Sequence, residues 1–279
     1  MSAIEAPGAV RAAFDKARGE GRAALVGYLP AGFPSYEGAV EAIKVMVDAG
    51  CDVIEIGLPY SDPMVDGPTI QDAVHQALLG GVRVADVFRT VEAVAATGVA
   101  TLVMTYWNPV DRYGVDAFAR DLKSAGGSGL ITPDLTPEEA GPWLEASDEH
   151  GLDRVFLVAL SSTDERIAKI TQVSRGFVYA ASLMGVTGAR SAVDTGAPRL
   201  VERTRAALAG AGSALPVGLG LGVGNGAQAA EVAGFADGVI VGSAFVRRIL
   251  DAPDLPTGLK ELRVLTTELA EGVRNPAPR

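Results

Sequence analysis

The chain has 279 residues, of which 48% are hydrophobic and 21% are charged, and its formal net charge is −10. This composition is typical of a globular protein with a full core, and the negative charge argues against nucleic acid or an anionic membrane surface as a partner. A single cysteine, Cys51, excludes an internal disulfide and a cysteine-cluster metal site.

The first stretch of the chain, Met1–Arg22, lacks the long apolar core of a signal peptide, and no run of eighteen apolar residues occurs in the sequence. We therefore expect a cytoplasmic protein without a membrane span. Within this stretch, an amphipathic pattern over Val10–Lys16 predicts a short leading helix.

After that helix, short apolar segments alternate with amphipathic segments to the end of the chain. The apolar segments predict eight strands, at Ala23–Leu29, Asp52–Ile56, Val99–Thr105, Gly129–Thr132, Arg154–Leu160, Gly176–Ser182, Pro216–Leu221 and Asp237–Val241. The amphipathic segments predict helices at Tyr36–Ala49, Ile70–Leu79, Val84–Ala95, Val115–Ser124, Pro137–His150, Asp164–Val173, Ala197–Leu208, Ala227–Ala233, Phe245–Leu250 and Leu259–Leu269.

This alternation predicts a parallel sheet, either open and doubly wound or closed into a barrel. Eight strand–helix units in about 250 residues is the size of a TIM barrel. The first strand is followed by Leu29–Pro34, LPAGFP, which lacks the glycine-rich turn of a doubly wound nucleotide-binding sheet. We therefore predict one (β/α)8 TIM barrel domain over Met1–Arg279 with a short extra N-terminal helix.

The second predicted strand carries a carboxylate within an apolar run. Glu55 stands between Ile54 and Ile56, and a strand of a parallel sheet is covered on both faces, so an unpaired ionised side chain there would be strongly destabilising. Two explanations are open. Glu55 either forms a buried ion pair with Lys or Arg, or it is an acid–base group, with Asp66 on the following loop as its companion.

Glycines in the loops after strands six, seven and eight form a second signal. They are Gly188, then Gly220 and Gly222, then Gly242, and a helix that begins at Ser243 would direct its positive end toward the same place. Tight turns would also explain glycine at these positions. Because the loops after strands seven and eight of TIM barrels often bind phosphate, we predict an anion site here.

Aromatic side chains follow or occupy several of the same strands. Tyr28 lies on the first, Tyr106 and Trp107 follow the third, and Phe177 and Tyr179 lie on the sixth. Any one of them alone is more typical of a core than of a pocket. Together with the two carboxylates and the anion site, they indicate a phosphorylated substrate with a flat apolar group at which protons are transferred.

Longer motifs resemble the tryptophan synthase α subunit family over almost the whole chain. The most specific is EIGLPYSDPMVDGPTIQ at Glu55–Gln71. Shorter matches are MTYWNP at Met104–Pro109, LITPDLTPEE at Leu130–Glu139, SLMGVTGAR at Ser182–Arg190 and VGSAFV at Val241–Val246. The chain departs from the pattern at Leu221, where the family often has Phe.

This resemblance implies a lyase that cleaves indole-3-glycerol phosphate to indole and glyceraldehyde 3-phosphate, a retro-aldol reaction, in the last step of L-tryptophan biosynthesis. By match, Glu55 is the acid–base group, and Asp66 accepts the indole N–H and stabilises positive charge on the ring. The other matched positions imply substrate-binding residues at Tyr179, Thr187, Gly188, Gly222, Gly242 and Ser243.

The resemblance also implies a partner. In an α2β2 complex, a β subunit would carry pyridoxal phosphate and receive the indole, and the present chain would need neither cofactor nor metal of its own. The implied docking surface includes Asp62–Pro63 and Asn108–Pro109.

Other readings remain open at this point. One is a different phosphate-binding barrel, such as a sugar-phosphate isomerase or aldolase, but Lys44, Lys123 and Lys169 lie on predicted helices and not at strand ends where a Schiff-base lysine would stand. The others are a free-standing lyase of the same family and a non-catalytic activator of the β subunit.

Overall fold

The structure, a computed structural model, describes residues 8–182 and 196–277. Within them, eight parallel strands follow one another around a closed barrel, and the last strand pairs with the first. The strands are β1 (Ala24–Pro30), β2 (Val53–Gly57), β3 (Ala100–Met104), β4 (Gly129–Thr132), β5 (Asp153–Ala159), β6 (Val178–Ala181), β7 (Val217–Gly220) and β8 (Gly238–Val241). The closed sheet confirms the predicted TIM barrel and excludes the doubly wound alternative.

Helices connect the strands and cover the outside of the barrel. They are α1 (Ala9–Gly19), α2 (Tyr36–Ala49), α3 (Pro68–Leu79), α4 (Val84–Ala95), α5 (Trp107–Tyr113), α6 (Val115–Ser124), α7 (Gly141–Glu149), α8 (Asp164–Val173), α9 (Gly196–Gly210), α10 (Gly226–Ala233), α11 (Ser243–Leu250) and α12 (Leu255–Arg274). Among the described residues, no helix is both long and apolar enough to cross a membrane.

Helices α5, α7 and α12 differ most from the prediction, and α12 extends beyond the predicted Leu259–Leu269 at both ends. The sequence pattern did not predict α5, which follows β3 almost directly. Its first amide, that of Trp107, donates hydrogen bonds of 2.9 and 3.1 Å to the Asp134 carboxylate. The predicted start of α7 at Pro137 is wrong, because Thr136 and Glu139 form a turn in which the Glu139 amide donates to the Thr136 carbonyl. The helix begins at Gly141 instead.

Along each strand, side chains point alternately into the barrel and outward toward the helices. The inward-pointing side chains fill the barrel interior. This inner cluster contains Val26, Val53, Leu102, Ile131, Val155, Phe177 and Ile240. Helix α1 closes its amino-terminal end, because the buried Phe14 ring lies 5.1 Å from the Phe177 ring in a stacked arrangement. A methyl group at Gly238 would lie 2.6 Å from the Phe14 ring, so glycine is required there. Among the described residues, α1 thus covers the amino-terminal end of the barrel, and we look for a site at the carboxyl-terminal end, called the mouth below.

Candidate active site

Glu55 lies in the middle of β2, level with Tyr28 of β1 and Leu102 of β3. Its side chain is 1% exposed, and its Oε1 has no hydrogen-bond partner among the described residues. Burial raises the pKa of this carboxyl to about 8, and no cation among the described residues opposes that shift. In the described part of the chain, Glu55 therefore forms no ion pair, and the buried ion pair that the sequence left open is not observed there.

Asp66 is half-buried in the loop between β2 and α3. Its Oδ2 accepts a hydrogen bond of 3.3 Å from the hydroxyl of Tyr106, which follows β3 and is 5% exposed. Burial raises the pKa of Asp66, and the hydrogen bond from Tyr106 partly opposes that rise. The pKa of Asp66 therefore stays above its ordinary value, and the hydrogen bond from Tyr106 ties its carboxylate to the end of β3.

Two further tyrosines connect these carboxylates. Burial first, and then the charges of Asp66 and Glu55, raise the pKa of Tyr28 well above its ordinary value. The same causes act on Tyr179, where Glu55 contributes more than Asp66. Both carboxylates are thus close enough to influence both hydroxyls, so the four side chains share the barrel mouth. Three of the predicted site residues, Glu55, Asp66 and Tyr179, are thus near one another.

The predicted anion site lies at the ends of β7 and β8. Gly242 immediately precedes α11, and the amides of Phe245 and Val246 both donate to its carbonyl. The Ser243 amide lies in the first turn of this helix, where amides have no partner within the helix. Gly222 has φ of 84°, a conformation that favours glycine, and a methyl group there would meet nothing within 4 Å. The glycine therefore borders open space, as a ligand-facing backbone would.

The Tyr28 ring lies between the carboxylates and this glycine-rich side. A methyl group at Gly242 would lie 3.5 Å from the ring, and one at Gly57, two residues after Glu55, would collide with the Tyr28 hydroxyl. In the same way, a methyl group at Gly220 would lie 2.5 Å from the Tyr179 hydroxyl. The glycines at these strand ends thus make room for aromatic side chains as well as for a ligand.

Some predicted positions are not brought into this site. Thr187 and Gly188 lie outside the described residues. Lys44, Lys123 and Lys169 lie on α2, α6 and α8, and no lysine stands at a strand end in the described part of the chain. The site therefore does not have the marker of a Schiff-base aldolase.

The sequence did not indicate a role for Tyr106 at this site. Its place after the third strand was noted only as one of several aromatic positions. Forty residues separate it from Asp66, and only closure of the sheet brings the ends of β2 and β3 together.

Comparison with known proteins gives a consistent picture. The family model described as tryptophan synthase alpha chain matches residues 14–274. The tryptophan synthase alpha chain of Salinispora arenicola is 64% identical over 265 residues, which cover 95% of this chain and 97% of that one. For the Thermobifida fusca tryptophan synthase alpha chain the identity is 60% over 259 residues, with 93% and 95% covered.

Solved structures agree with these sequence matches. A structure of Mycobacterium tuberculosis tryptophan synthase superposes with a TM-score of 0.88 at 57% identity and covers 96% of this chain and 99% of that chain. Tryptophan synthase subunit alpha from Legionella pneumophila superposes with a TM-score of 0.83 at 31% identity, with 97% and 100% covered.

Proposed function

The chain belongs to the tryptophan synthase alpha chain family and is a lyase that cleaves indole-3-glycerol phosphate, and from this premise we propose that Glu55 and Asp66 carry out the proton transfers of that reaction. The observation that best supports these roles is the burial of Glu55, for which the described residues supply neither a hydrogen-bond partner for Oε1 nor a neighbouring cation.

Glu55 is the proposed acid–base group. To break the bond between indole C3 and the glycerol carbon, C3 must be protonated so that the ring can accept the electron pair, and the adjacent hydroxyl must lose its proton as the carbonyl forms. With a pKa raised to about 8, Glu55 carries a proton at neutral pH and can donate it to C3. The resulting carboxylate can then accept the hydroxyl proton.

Asp66 is the proposed acceptor for the indole N–H. Protonation at C3 places positive charge on the ring nitrogen, and an ionised carboxylate aligned with that N–H stabilises the charge as it develops. Asp66 suits this role because it is half-buried and already aligned by the Tyr106 hydroxyl.

The phosphate is proposed to bind at Gly222, Gly242 and Ser243, with Tyr179 beside the glycerol portion of the substrate. The open space at Gly222 and the first turn of α11 support this placement. Thr187 and Gly188 complete the proposed set by family match.

The proposed partner is a tryptophan synthase β subunit in an α2β2 complex in the cytoplasm, and pyridoxal phosphate is expected only in that partner. A groove of about 440 Å³ supports a docking surface at Asp62–Pro63 and Asn108–Pro109, because Pro59, Asn108 and Pro109 line it. The lone thiol, Cys51, is free and buried, which agrees with a reducing compartment.

The decisive experiment measures cleavage of indole-3-glycerol phosphate by the purified chain, with and without the β subunit. We expect Glu55→Gln to lose at least about 100-fold in kcat, the lower range for removal of a general acid–base group, while its circular dichroism stays unchanged. Glu41→Gln, at an exposed position of α2, is the matched control and should keep full activity.

Each other outcome has a definite meaning. Near-normal turnover by Glu55→Gln would reject the role proposed for Glu55. If the unmodified chain shows no cleavage with or without the β subunit but still activates it, the chain is an activator instead. If cleavage is fast alone and unchanged by the β subunit, the chain is a free-standing lyase.

A further inference from the structure

We propose that Tyr106 is a positioning residue whose hydroxyl group fixes the β2–α3 loop and holds the Asp66 carboxylate in its working orientation. This inference rests on the function proposed for Asp66 and adds a residue to which neither the sequence motifs nor the family match gave that role.

Two backbone amides of the loop that carries Asp66 donate to this hydroxyl group. The amides of Met64 and Val65 each donate to the Tyr106 Oη at 3.0 Å. Near the start of the loop, the Leu58 amide also donates to the Met104 carbonyl of β3 at 2.9 Å. The Asp66 carbonyl accepts a hydrogen bond of 2.8 Å from the Gln71 side chain. A side-chain oxygen thus replaces the partners that regular secondary structure would supply.

The same geometry determines where the hydroxyl proton points. A phenolic oxygen has one proton to donate, and both of its backbone neighbours here are N–H donors, so neither can accept that proton. The remaining neighbour is the Asp66 Oδ2, at 3.3 Å. The Met64 and Val65 amides therefore orient the Tyr106 hydroxyl toward the carboxylate.

Tyr106 is itself held in place on several sides. It is 5% exposed, its ring lies 5.2 Å from the Tyr60 ring, and the Thr105 hydroxyl donates to its carbonyl at 2.9 Å. The next amide, that of Trp107, donates to Asp134. A residue anchored this firmly can hold a neighbouring loop in one position.

The contact also affects the ionisation of Asp66. Burial raises the pKa of Asp66, and the hydrogen bond from Tyr106 lowers it. Without the hydroxyl, Asp66 would ionise at a higher pH. Among the described residues, removal of the Tyr106 hydroxyl leaves the other titratable groups near this end of the barrel in place. They are Glu55, Tyr28, Tyr179, Tyr60 and Asp134.

The test is Tyr106→Phe, which keeps the ring and removes only the hydroxyl. We expect kcat to fall about 10- to 100-fold, the range for loss of one hydrogen bond to a charged group. The acidic limb of the pH profile should also move to higher pH, a change that general loosening of the fold would not produce. Tyr36→Phe is the control, because it removes a tyrosine hydrogen bond of 3.4 Å to the Arg89 carbonyl on the exposed surface.

Two further measurements separate positioning from a general structural role. Hydrogen exchange should show faster exchange of the Met64 and Val65 amides in Tyr106→Phe, even if the activity assay is ambiguous. In an Asp66→Asn background, Tyr106→Phe should lower kcat little further, because the two residues act through one contact.

An unchanged acidic limb, unchanged amide exchange, or an equal loss of rate in the Asp66→Asn background would each overturn the inference. If Glu55→Gln and Asp66→Asn are both inactive while Tyr106→Phe is normal, only the role of Tyr106 is rejected. If Asp66→Asn is fully active, the function proposed for Asp66 fails instead.

Discussion

Glu55 shows how a proposed catalytic group can lower the stability of the protein that contains it. The buried carboxyl keeps its proton to about pH 8, whereas in the unfolded chain it ionises near its ordinary pKa of 4.5. Above pH 4.5, loss of this proton lowers the free energy of the unfolded state, whereas the folded state keeps its proton. The contribution of Glu55 to the free energy of unfolding is therefore highest below pH 4.5 and falls as the pH rises toward 8.

We predict that Glu55→Gln removes this pH dependence. The free energy of unfolding of the variant, relative to the unmodified protein, should rise between pH 4.5 and 8 by on the order of 4 kcal/mol, at about 1.4 kcal/mol per pH unit. Urea unfolding at a series of pH values measures the difference. Asp153, whose pKa burial raises to about 6, titrates in both proteins, so its effect cancels. A difference that stays flat with pH would mean that Glu55 is already ionised in the folded state.

Among individual residues, the sequence alone identifies those whose chemical type is unusual for their position. A carboxylate within an apolar strand needs an explanation, and Glu55 was found for that reason. Tyr106 gave no such signal, because a tyrosine after a strand is common and its bond to Asp66 depends on the pairing of β2 with β3. Long-range pairs of ordinary residues become visible only with the fold.

Among the elements, α1 has the role least expected from its sequence. It precedes the first strand and is not part of the strand–helix repeat, yet its Phe14 enters the inner cluster of the barrel. The ring stacks on Phe177 and fills the space left by Gly238. The helix is therefore part of the core and not an appendage.

We predict that Phe14→Ala lowers the free energy of unfolding by about 3–5 kcal/mol, because it leaves a cavity in the inner cluster. Equilibrium urea unfolding is the measurement. Leu79→Ala, at a position 76% exposed on α3, is the control and should change stability by less than about 0.5 kcal/mol. A loss below about 1 kcal/mol for Phe14→Ala would show that α1 folds independently of the barrel.

The strands and most helices were predictable because each buries one periodic set of apolar residues. Helix α5 was not, since Trp107, Asn108 and Pro109 carry no such periodicity and its first amide is capped by Asp134 from the next strand's loop. The start of α7 was misplaced because both Pro137 and Pro142 suit a first helical turn, and the local turn at Thr136 decided between them.

For the molecule as a whole, the proposed active site and the proposed docking surface both lie at the mouth. The loop that carries Asp66 also presents Met64, 73% exposed, and Val65, 44% exposed, directly beside Asp62–Pro63. Exposed apolar side chains beside a proposed docking surface suit a surface that a partner covers. The same loop therefore belongs to both the proposed site and the proposed interface.

We predict that Met64→Ala weakens binding of the β subunit by about 10-fold or more, because burying a methionine side chain contributes about 1.5–3 kcal/mol. Isothermal titration calorimetry with the purified β subunit measures the dissociation constant. Val264→Ala, at a position 63% exposed on α12, is the control. Equal affinities for both variants would place the docking surface elsewhere.

The stacked Phe14 and Phe177 rings close the amino-terminal end of the barrel, so a substrate bound at the mouth enters, and its products leave, on one face of the molecule. A partner protein bound over that face would therefore receive the leaving product directly. The same partner would also have to leave a path by which the next substrate enters.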